Sequence, residues 1–354
     1  MGASPRLRVL IVDDSAVQRQ MLASLLASDP SIELAGSASN GAEALRAVAR
    51  LRPDVITLDE GMPVMSGLEA ARHIMRETPT PIVMISGATG DDARQLAEAA
   101  LAAGVVAIRG KRALAAAEAT AVTDLLRLLK SMASVRVIRR RREPIVCDGP
   151  ASGAPLVDTS PTTPELVAIG ASTGGPQVLR DIICRLPAAF PLPVVVVQHT
   201  TAGYSSTLVE WLGGAARLPV RVAHDGDPLD RPGVYIAPSI TRHMLVQGRH
   251  LVLQDAPPVS LHCPSATVLF RSVAASYASR AIGVLLTGMG DDGASGLMEM
   301  KQAGALTIAQ DEASSVVFGM PAEAIRIGAA DHILAPDGIA RLLLQQWNRK
   351  DAAA

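Results

Sequence analysis

Aromatic residues are scarce in this chain, because Phe, Trp and Tyr together make up only 2% of its 354 residues. Its cores must therefore be aliphatic, and hydrophobic residues, at 49%, are numerous enough to fill more than one. Cysteine is also rare, and Cys147, Cys184 and Cys263 lie far apart. This spacing excludes a disulfide framework or a zinc motif, and it favours a reducing compartment.

Excess charge and long apolar runs are missing as well. The formal net charge is −1, which provides no global attraction to nucleic acid or to an anionic membrane. Purely aliphatic runs such as Val194–Val197 are much too short to span a bilayer. No apolar segment precedes a cleavage site near the start, so no secretory signal is predicted. We expect a cytoplasmic protein without membrane insertion.

Short apolar runs alternate with amphipathic stretches in two separate parts of the chain. We predict a first domain over residues 1–128, a linker over 129–162 and a second domain over 163–349. The alternation of strands and helices, with strands that are continuously apolar, predicts an α/β fold with two doubly wound parallel sheets. The expected strands are Val9–Val12, Ile32–Ala35, Val55–Leu58, Ile82–Ile85 and Val105–Ile108, then Leu166–Ile169, Val194–Val197, Val220–Ala223, Val234–Ile236, Ala281–Leu286, Ala305–Ile308 and His332–Leu334.

The predicted linker is rich in Pro, Gly, Ser and Thr and contains a basic run, Arg139–Arg142. Such composition is typical of a solvated hinge. The same arginines would also suit contact with nucleic acid, although we favour the hinge and expect no nucleic-acid partner.

Polar residues follow four strands of the first domain. Asp13 and Asp14 end the first strand, Asp59 the third and Ser86 the fourth, while Lys111 lies just beyond the fifth. In a doubly wound sheet the carboxyl ends of these strands converge. Clustered carboxylates need a cation, and their oxygen ligands suit Mg²⁺. With a hydroxyl and a lysine nearby, the cluster suits transient phosphorylation of one carboxylate. Each acid taken alone would more simply be a helix cap.

A glycine-rich turn, GASTGGP, opens the second domain directly after a strand. Ser172 within it fits the G-x-S-x-G pattern of an exposed nucleophile. His199 ends the next strand and could serve as its base, and TGMGDDG at 287–293 offers Asp291 or Asp292 to orient the histidine. The order Ser, His, Asp differs from that of the α/β-hydrolases.

The first domain resembles the response-regulator receiver domains through VLIVDDS at 9–15, DVITLDEGMPVMSGLEA at 54–70 and MISG at 84–87. The resemblance implies a flavodoxin-like fold in which Asp59 is the phosphoacceptor and Asp13, Asp14 and Asp59 hold Mg²⁺. It further implies that Ser86 is the switch hydroxyl and that Lys111 contacts the phosphoryl group.

Three positions of this domain depart from the receiver pattern. Gly61 stands where an acidic residue is usual, Ile108 where an aromatic switch residue is usual, and Arg112 where proline is usual. The phosphorylation chemistry is therefore expected to be intact, while the coupling of phosphorylation to conformation involves positions that differ from the family pattern.

Residues 166–347 resemble the catalytic domain of the chemotaxis protein-glutamate methylesterases, through VAIGASTGGP at 167–176, QH at 198–199, DGDPLDRPGVYIAP at 225–238, LLTGMGDDGASGL at 285–297 and AQDEASSVVFGMPAEAI at 309–325. The resemblance implies a Rossmann-like domain in which Ser172 is the nucleophile, His199 the general base and Asp292 the orienting acid. Thr173 and Met289 would be neighbours on the oxyanion side. Thr200 departs from the methionine that is common after this histidine.

The family resemblance implies a function in chemotaxis adaptation. The expected reaction is hydrolysis of glutamyl methyl esters on chemoreceptors, releasing methanol, with deamidation of receptor glutamines by the same chemistry. A chemotaxis histidine kinase is the expected phosphodonor, Mg²⁺ the cofactor for phosphorylation, and no cofactor is expected for ester hydrolysis.

Three other functions remain as alternatives. GASTGG could be the phosphate-binding turn of a nucleotide-binding regulator, which would leave His199 without a use. Arg139–Arg142 could belong to a DNA-binding response regulator, whose second half should then carry a helix-turn-helix. The chain could also be a scaffold that responds to phosphorylation without catalysis.

Overall fold

The computed structural model describes residues 6–88, 92, 95–96, 99–100, 103–116, 118–132, 163–199, 204–238, 242–259 and 262–352. The chain divides into two compact units, residues 1–141 and 142–354. Among the described helices, none carries an apolar stretch that would reach across a bilayer.

The first unit contains one five-stranded parallel sheet with the order β2-β1-β3-β4-β5. Its strands are β1 (Leu7–Val12), β2 (Ile32–Ala38), β3 (Val55–Asp59), β4 (Ile82–Ser86) and β5 (Ala107–Gly110). The helices whose bounds the structure gives in this unit are α1 (Ala16–Ala27), α2 (Gly41–Leu51), α3 (Gly67–Glu77), α4 (Lys111–Ala115) and α5 (Ala119–Met132). The predicted doubly wound arrangement of this domain is confirmed.

Local sequence explains where the first three helices begin. Ser15, Asn40 and Ser66 each accept a hydrogen bond from the backbone N–H three residues later. The Glu69 carboxylate in turn accepts a hydrogen bond from the backbone N–H of Ser66, which completes a capping box. These caps lie at the ends of the loops that follow β1, β2 and β3. They fix where each loop passes into its helix, at the same edge of the sheet as the acidic residues.

The second unit contains a seven-stranded parallel sheet with the order β14-β13-β12-β6-β7-β9-β8. Its strands are β6 (Leu166–Ala171), β7 (Pro193–Gln198), β8 (Val220–Val222), β9 (Gly233–Ile236), β12 (Ala281–Leu285), β13 (Leu306–Gln310) and β14 (His332–Leu334). Its helices are α6 (Gly175–Ile183), α7 (Tyr204–Gly213), α8 (Ala266–Tyr277), α9 (Ala294–Gln302), α10 (Met320–Arg326) and α11 (Pro336–Ala352).

Both faces of this sheet are covered by apolar cores. Alternate residues of β6 contribute to different clusters, with Val167 and Ile169 in one and Leu166 and Ala168 in the other. All four are fully buried. Burial on both sides explains why the strands read as continuous aliphatic runs rather than as an alternating pattern.

A few elements differ from the sequence-based expectations. An antiparallel hairpin, formed by β10 (Arg242–Gln247) and β11 (His250–Asp255), was not predicted. Gly248, in the turn between its two strands, has a positive φ of 57°. Helix α5 ends at Met132, beyond the domain boundary expected at 128. The rest of the predicted linker, residues 133–162 with Arg139–Arg142, lies outside the described residues. The strand expected at 105–108 is instead Ala107–Gly110.

Candidate functional site

Ser172 lies in a sharp turn between β6 and α6. Its backbone N–H donates to the carbonyl of Thr287, 3.0 Å away, on the loop after the neighbouring strand β12. Gly288 touches the serine so closely that a Cβ there would lie 2.6 Å from Ser172 Cβ. Gly174 has a φ of 79°, and a Cβ on it would meet Val316 at 2.4 Å. The turn therefore needs glycine both for its backbone conformation and for its close neighbours.

His199 follows β7 and lies beside the same turn, since its backbone N–H donates to Ala171 O at 2.9 Å. Its Nε2 lies 2.8 Å from a carboxylate oxygen of Asp292, and its side chain is only 8% exposed. An ionised carboxylate can only accept, so Nε2 carries the proton. Nδ1 is buried and has no hydrogen-bond partner among the described residues. Nδ1 is thus the nitrogen with a free lone pair.

Asp292 is held by the N-terminus of helix α8. One carboxylate oxygen accepts from Ser265 Oγ at 2.7 Å and from Thr267 N at 3.1 Å, and the other accepts from Ala266 N at 2.7 Å as well as from His199. Burial would raise the pKa of Asp292. The hydrogen bond and the charge of His199, together with hydrogen bonds from Ser265 and Thr267, outweigh this effect and hold the pKa well below its usual range. The carboxylate is ionised and fixed.

Asp291, the other acid that the motif offered, is exposed, whereas Asp292 is 1% exposed. Of the two, Asp292 is the one that bonds His199. The structure therefore brings His199 and Asp292 together at the strand ends beside the Ser172 turn.

Gln198 was not singled out by the sequence analysis except as part of a motif. Its Nε2 donates both to Ser172 O at 2.8 Å and to His199 O at 3.0 Å, and the side chain is 4% exposed. One amide thus ties the main chain of the serine turn to that of the histidine strand end. No feature of sequence spacing distinguishes such a clamp from an ordinary buried glutamine.

Thr173 and Met289 are both partly buried near this turn. The carbonyl of Thr173 accepts from Thr287 Oγ1 at 3.0 Å. Met289 follows Gly288, the residue that contacts Ser172. Their positions agree with a place beside the serine, and their expected part in an oxyanion site stays a prediction.

His262 is a second residue that the sequence analysis did not identify. Its imidazole stacks on that of His199, with ring centroids 3.8 Å apart and planes inclined by 6°. The segment that contains it continues to Ser265, which binds Asp292. A lone histidine before a proline-containing turn carries no sequence signal for this contact.

In the first unit, Asp13, Asp14 and Asp59 converge as expected. Each offers a carboxylate oxygen, and these oxygens lie within 4.8 Å of one another. Asp13 and Asp59 are buried, at 1% and 3% exposure, while Asp14 is exposed. Lys111 Nζ lies 2.7 Å from Asp59 and 3.1 Å from Asp13. The single lysine leaves the cluster with net negative charge.

The electrostatics of this cluster reflect that imbalance. Burial raises the pKa of the Asp59 carboxyl, and the charge of Asp13 adds to this, while the hydrogen bond from Lys111 acts in the opposite direction. Burial would lower the pKa of Lys111, but its hydrogen bonds to Asp59 and Asp13 and their charges outweigh it and raise the pKa. An added positive charge would therefore stabilise ionised Asp59.

The cluster fits a divalent cation. Its donors are hard carboxylate oxygens, which Mg²⁺ prefers. Asp13 Oδ2 is buried, and among the described residues its polar partner is the Lys111 ammonium, 3.1 Å away. That oxygen is available as a ligand.

Ser86 ends β4 as predicted and is buried, and its Oγ accepts from Ala88 N at 2.9 Å. Ile108 lies on β5 opposite Met84 and is partly buried against the core of the first unit. Gly61 is exposed, and a Cβ there would meet nothing within 4 Å. Arg112 lies in helix α4, directly after Lys111.

Comparisons with known proteins cover both units. The CheB methylesterase family model matches residues 167–343, and the response regulator receiver domain model matches residues 9–122. The chain is 46% identical over 344 residues to the protein-glutamate methylesterase/protein-glutamine glutaminase 1 of Syntrophus aciditrophicus, with 96% of this chain and 98% of that protein covered. The corresponding protein 4 of Geobacter metallireducens is 46% identical over 346 residues, with 95% and 97% covered.

Among solved structures, the CheB methylesterase catalytic domain of Thermotoga maritima matches 52% of this chain and 99% of its own length. Its sequence identity is 36% and its TM-score 0.50. A receiver domain followed by a methylesterase domain defines a response regulator whose output domain is an enzyme. The chain belongs to the family of the protein-glutamate methylesterases/protein-glutamine glutaminases.

Proposed function

We propose that the chain is a protein-glutamate methylesterase and protein-glutamine glutaminase that acts on chemoreceptors in chemotaxis adaptation and is controlled by phosphorylation of Asp59. The observation that carries this proposal is the pairing of His199 with the buried, ionised Asp292 beside the Ser172 turn. The names of the full-length relatives supply the substrate class.

Acylation begins at the serine. Ser172 Oγ attacks the carbonyl carbon of a glutamyl methyl ester while His199 Nδ1 accepts its proton. Nδ1 takes this part because Nε2 is committed to Asp292. Asp292 stabilises the imidazolium that results. The methoxy group then leaves with that proton as methanol, and the glutamyl group remains on the serine as an ester.

Deacylation repeats the same steps with water. His199 Nδ1 accepts a proton from water, the resulting hydroxide attacks the acyl-enzyme, and the proton returns to Ser172 Oγ as the receptor glutamate is released. A glutamine side chain follows the same route with ammonia as the leaving group. Backbone N–H groups at Thr173 and Met289 are proposed to stabilise the oxyanion.

Regulation is assigned to the first unit. Asp59 accepts a phosphoryl group from a chemotaxis histidine kinase, and Asp13 and Asp14 with Asp59 would hold Mg²⁺. When bound, that ion would neutralise negative charge on the phosphoryl oxygens. Lys111 contributes a second positive charge, and Ser86 provides a hydroxyl for the phosphoryl group. We propose that the protein acts in the cytoplasm, where its receptor substrates and its kinase are expected.

Methanol release from methylated receptor membranes tests the proposal. The full chain should release methanol, more so after a small phosphodonor and Mg²⁺ are added. Ser172→Ala should release none, whereas Ser276→Ala should remain active, because that hydroxyl bonds Val246 O away from the site. Equal release by the wild type and Ser172→Ala would refute the proposal.

A further inference from the structure

The general base contacts a residue that the triad does not include. The imidazole of His262 lies face to face with that of His199, 3.8 Å between centroids and only 6° from parallel. Its own main chain is fixed, since His262 and Val259 exchange backbone hydrogen bonds of 2.8 and 3.0 Å. The main chain that carries the stacked ring is therefore fixed against Val259.

His199 needs such a support. Its hydrogen bond to Asp292 fixes one ring nitrogen but leaves the ring able to rotate about the line joining Nε2 to the carboxylate. That rotation would move Nδ1, the nitrogen with the free lone pair. A flat neighbour on one face limits the plane of the ring and hence the direction of Nδ1.

The chain around His262 supports both members of the pair. Three residues after it, Ser265 donates to Asp292, and the next two backbone N–H groups also bind that carboxylate. Residues 262–267 thus contact the histidine through a ring and the aspartate through hydrogen bonds. Displacement of this segment would affect the base and its orienting acid together.

We propose that His262 is a positioning residue of the esterase, whose stacked ring holds the plane of His199 so that Nδ1 faces Ser172. The inference rests on the proposed function of Ser172 and His199, and it adds a residue to that site. Aromatic flatness is the property that this role requires of the residue.

Three substitutions separate these properties in the full-length protein. His262→Phe keeps a flat ring, His262→Leu keeps bulk without flatness, and His262→Ala removes both. His250→Ala is the matched control, because that histidine is exposed at the start of β11. Thermal unfolding of each variant verifies that it is folded.

Methanol release from methylated receptor membranes gives the kinetic readout. For the alanine and leucine variants we expect kcat to fall about tenfold, the upper range for one stacked aromatic pair, with KM unchanged. His262→Phe should retain most of the wild-type kcat. A phenylalanine variant as slow as the alanine variant, or a change in KM alone, would overturn the inference.

Proton NMR gives a readout that needs no substrate. The proton between His199 Nε2 and Asp292 should give a strongly downfield signal, assigned by its loss in His199→Gln. The signal should persist in His262→Phe and broaden or disappear in His262→Ala and His262→Leu. Its persistence in all three variants would refute the positioning role. If the wild type releases no methanol but the signals behave as expected, the proposed function fails, while the support of the His199 ring by His262 is upheld.

Discussion

Replacement of Asp292 by asparagine is the most informative perturbation of the site. The carboxylate accepts hydrogen bonds from Ser265 Oγ, Thr267 N, Ala266 N and His199 Nε2. An amide has one acceptor oxygen, so at best the pair of bonds on one side survives. The new NH₂ group then faces Ala266 N and His199 Nε2 on the other side. The Ala266 N–H would lose its acceptor, and the loss of this charge-assisted hydrogen bond, at about 1.5–3 kcal/mol, lowers the free energy of unfolding by the same amount.

The same change alters the tautomer of His199. The amide NH₂ donates to Nε2, which moves the ring proton to Nδ1. Nδ1 then has no lone pair for the proton of Ser172. We therefore expect turnover to fall by about 10⁴, as for the comparable change in other triads, with the histidine still in place.

The pH dependence of stability has a definite sign. Because the pKa of Asp292 is lowered in the folded state, its stabilisation is fully present above the unfolded pKa of about 3.9 and is lost as the pH falls toward the folded value. The free energy of unfolding should therefore differ most between wild type and Asp292→Asn above about pH 4, and the two should converge in acid.

Urea unfolding of the catalytic unit across this pH range, together with methanol release, measures both effects. Asp291→Asn is the matched control, since Asp291 is the adjacent acid and is exposed. It should leave stability and turnover close to those of the wild type. If Asp291→Asn is the more damaging change, or if Asp292→Asn keeps a tenth or more of the activity, the assignment of the acid is wrong.

Three further changes test other parts of the structure. In the absence of Mg²⁺ and above pH 4, Asp59→Asn should raise the thermal unfolding midpoint of the receiver, because it removes a buried carboxylate whose pKa is raised. The same change should abolish stimulation of methanol release by a phosphodonor. Continued stimulation would contradict the assignment of Asp59 as phosphoacceptor. Gln198→Met should lower kcat by about 10- to 100-fold with little change in KM, because it removes the clamp between Ser172 and His199, and an unchanged kcat would contradict this role. Val64→Gly should stabilise the receiver by about 1 kcal/mol in urea unfolding, because Val64 is 87% exposed and has a φ of 71°, and a loss of stability would count against backbone strain there.

Sequence alone determined the fold class and most of the strands. Parallel strands that are buried on both faces are aliphatic along their whole length. Runs such as Val194–Val197 and Ile82–Ile85 can therefore be predicted as strands from composition alone. The carboxyl ends of such strands share one edge, which is why the sequence places Asp13, Asp14 and Asp59 together. The hairpin β10–β11 was not predicted, because its strands mix buried, half-buried and exposed residues and so lack the continuous burial that marks the parallel strands.

Tertiary structure decided which groups complete the esterase site and how they act. Two adjacent acids were available, and only packing shows that Asp292 is buried against the N-terminus of α8 while Asp291 faces solvent. The clamp at Gln198 and the ring of His262 depend on contacts between segments far apart in the chain. Local propensity and spacing are set by neighbours in sequence, whereas hydrogen-bond direction and ring stacking are set by neighbours in space. From the sequence we could propose the nucleophile and the base and, through the family resemblance, the acid, whereas the nitrogen of His199 that is proposed to accept the proton follows only from the folded geometry.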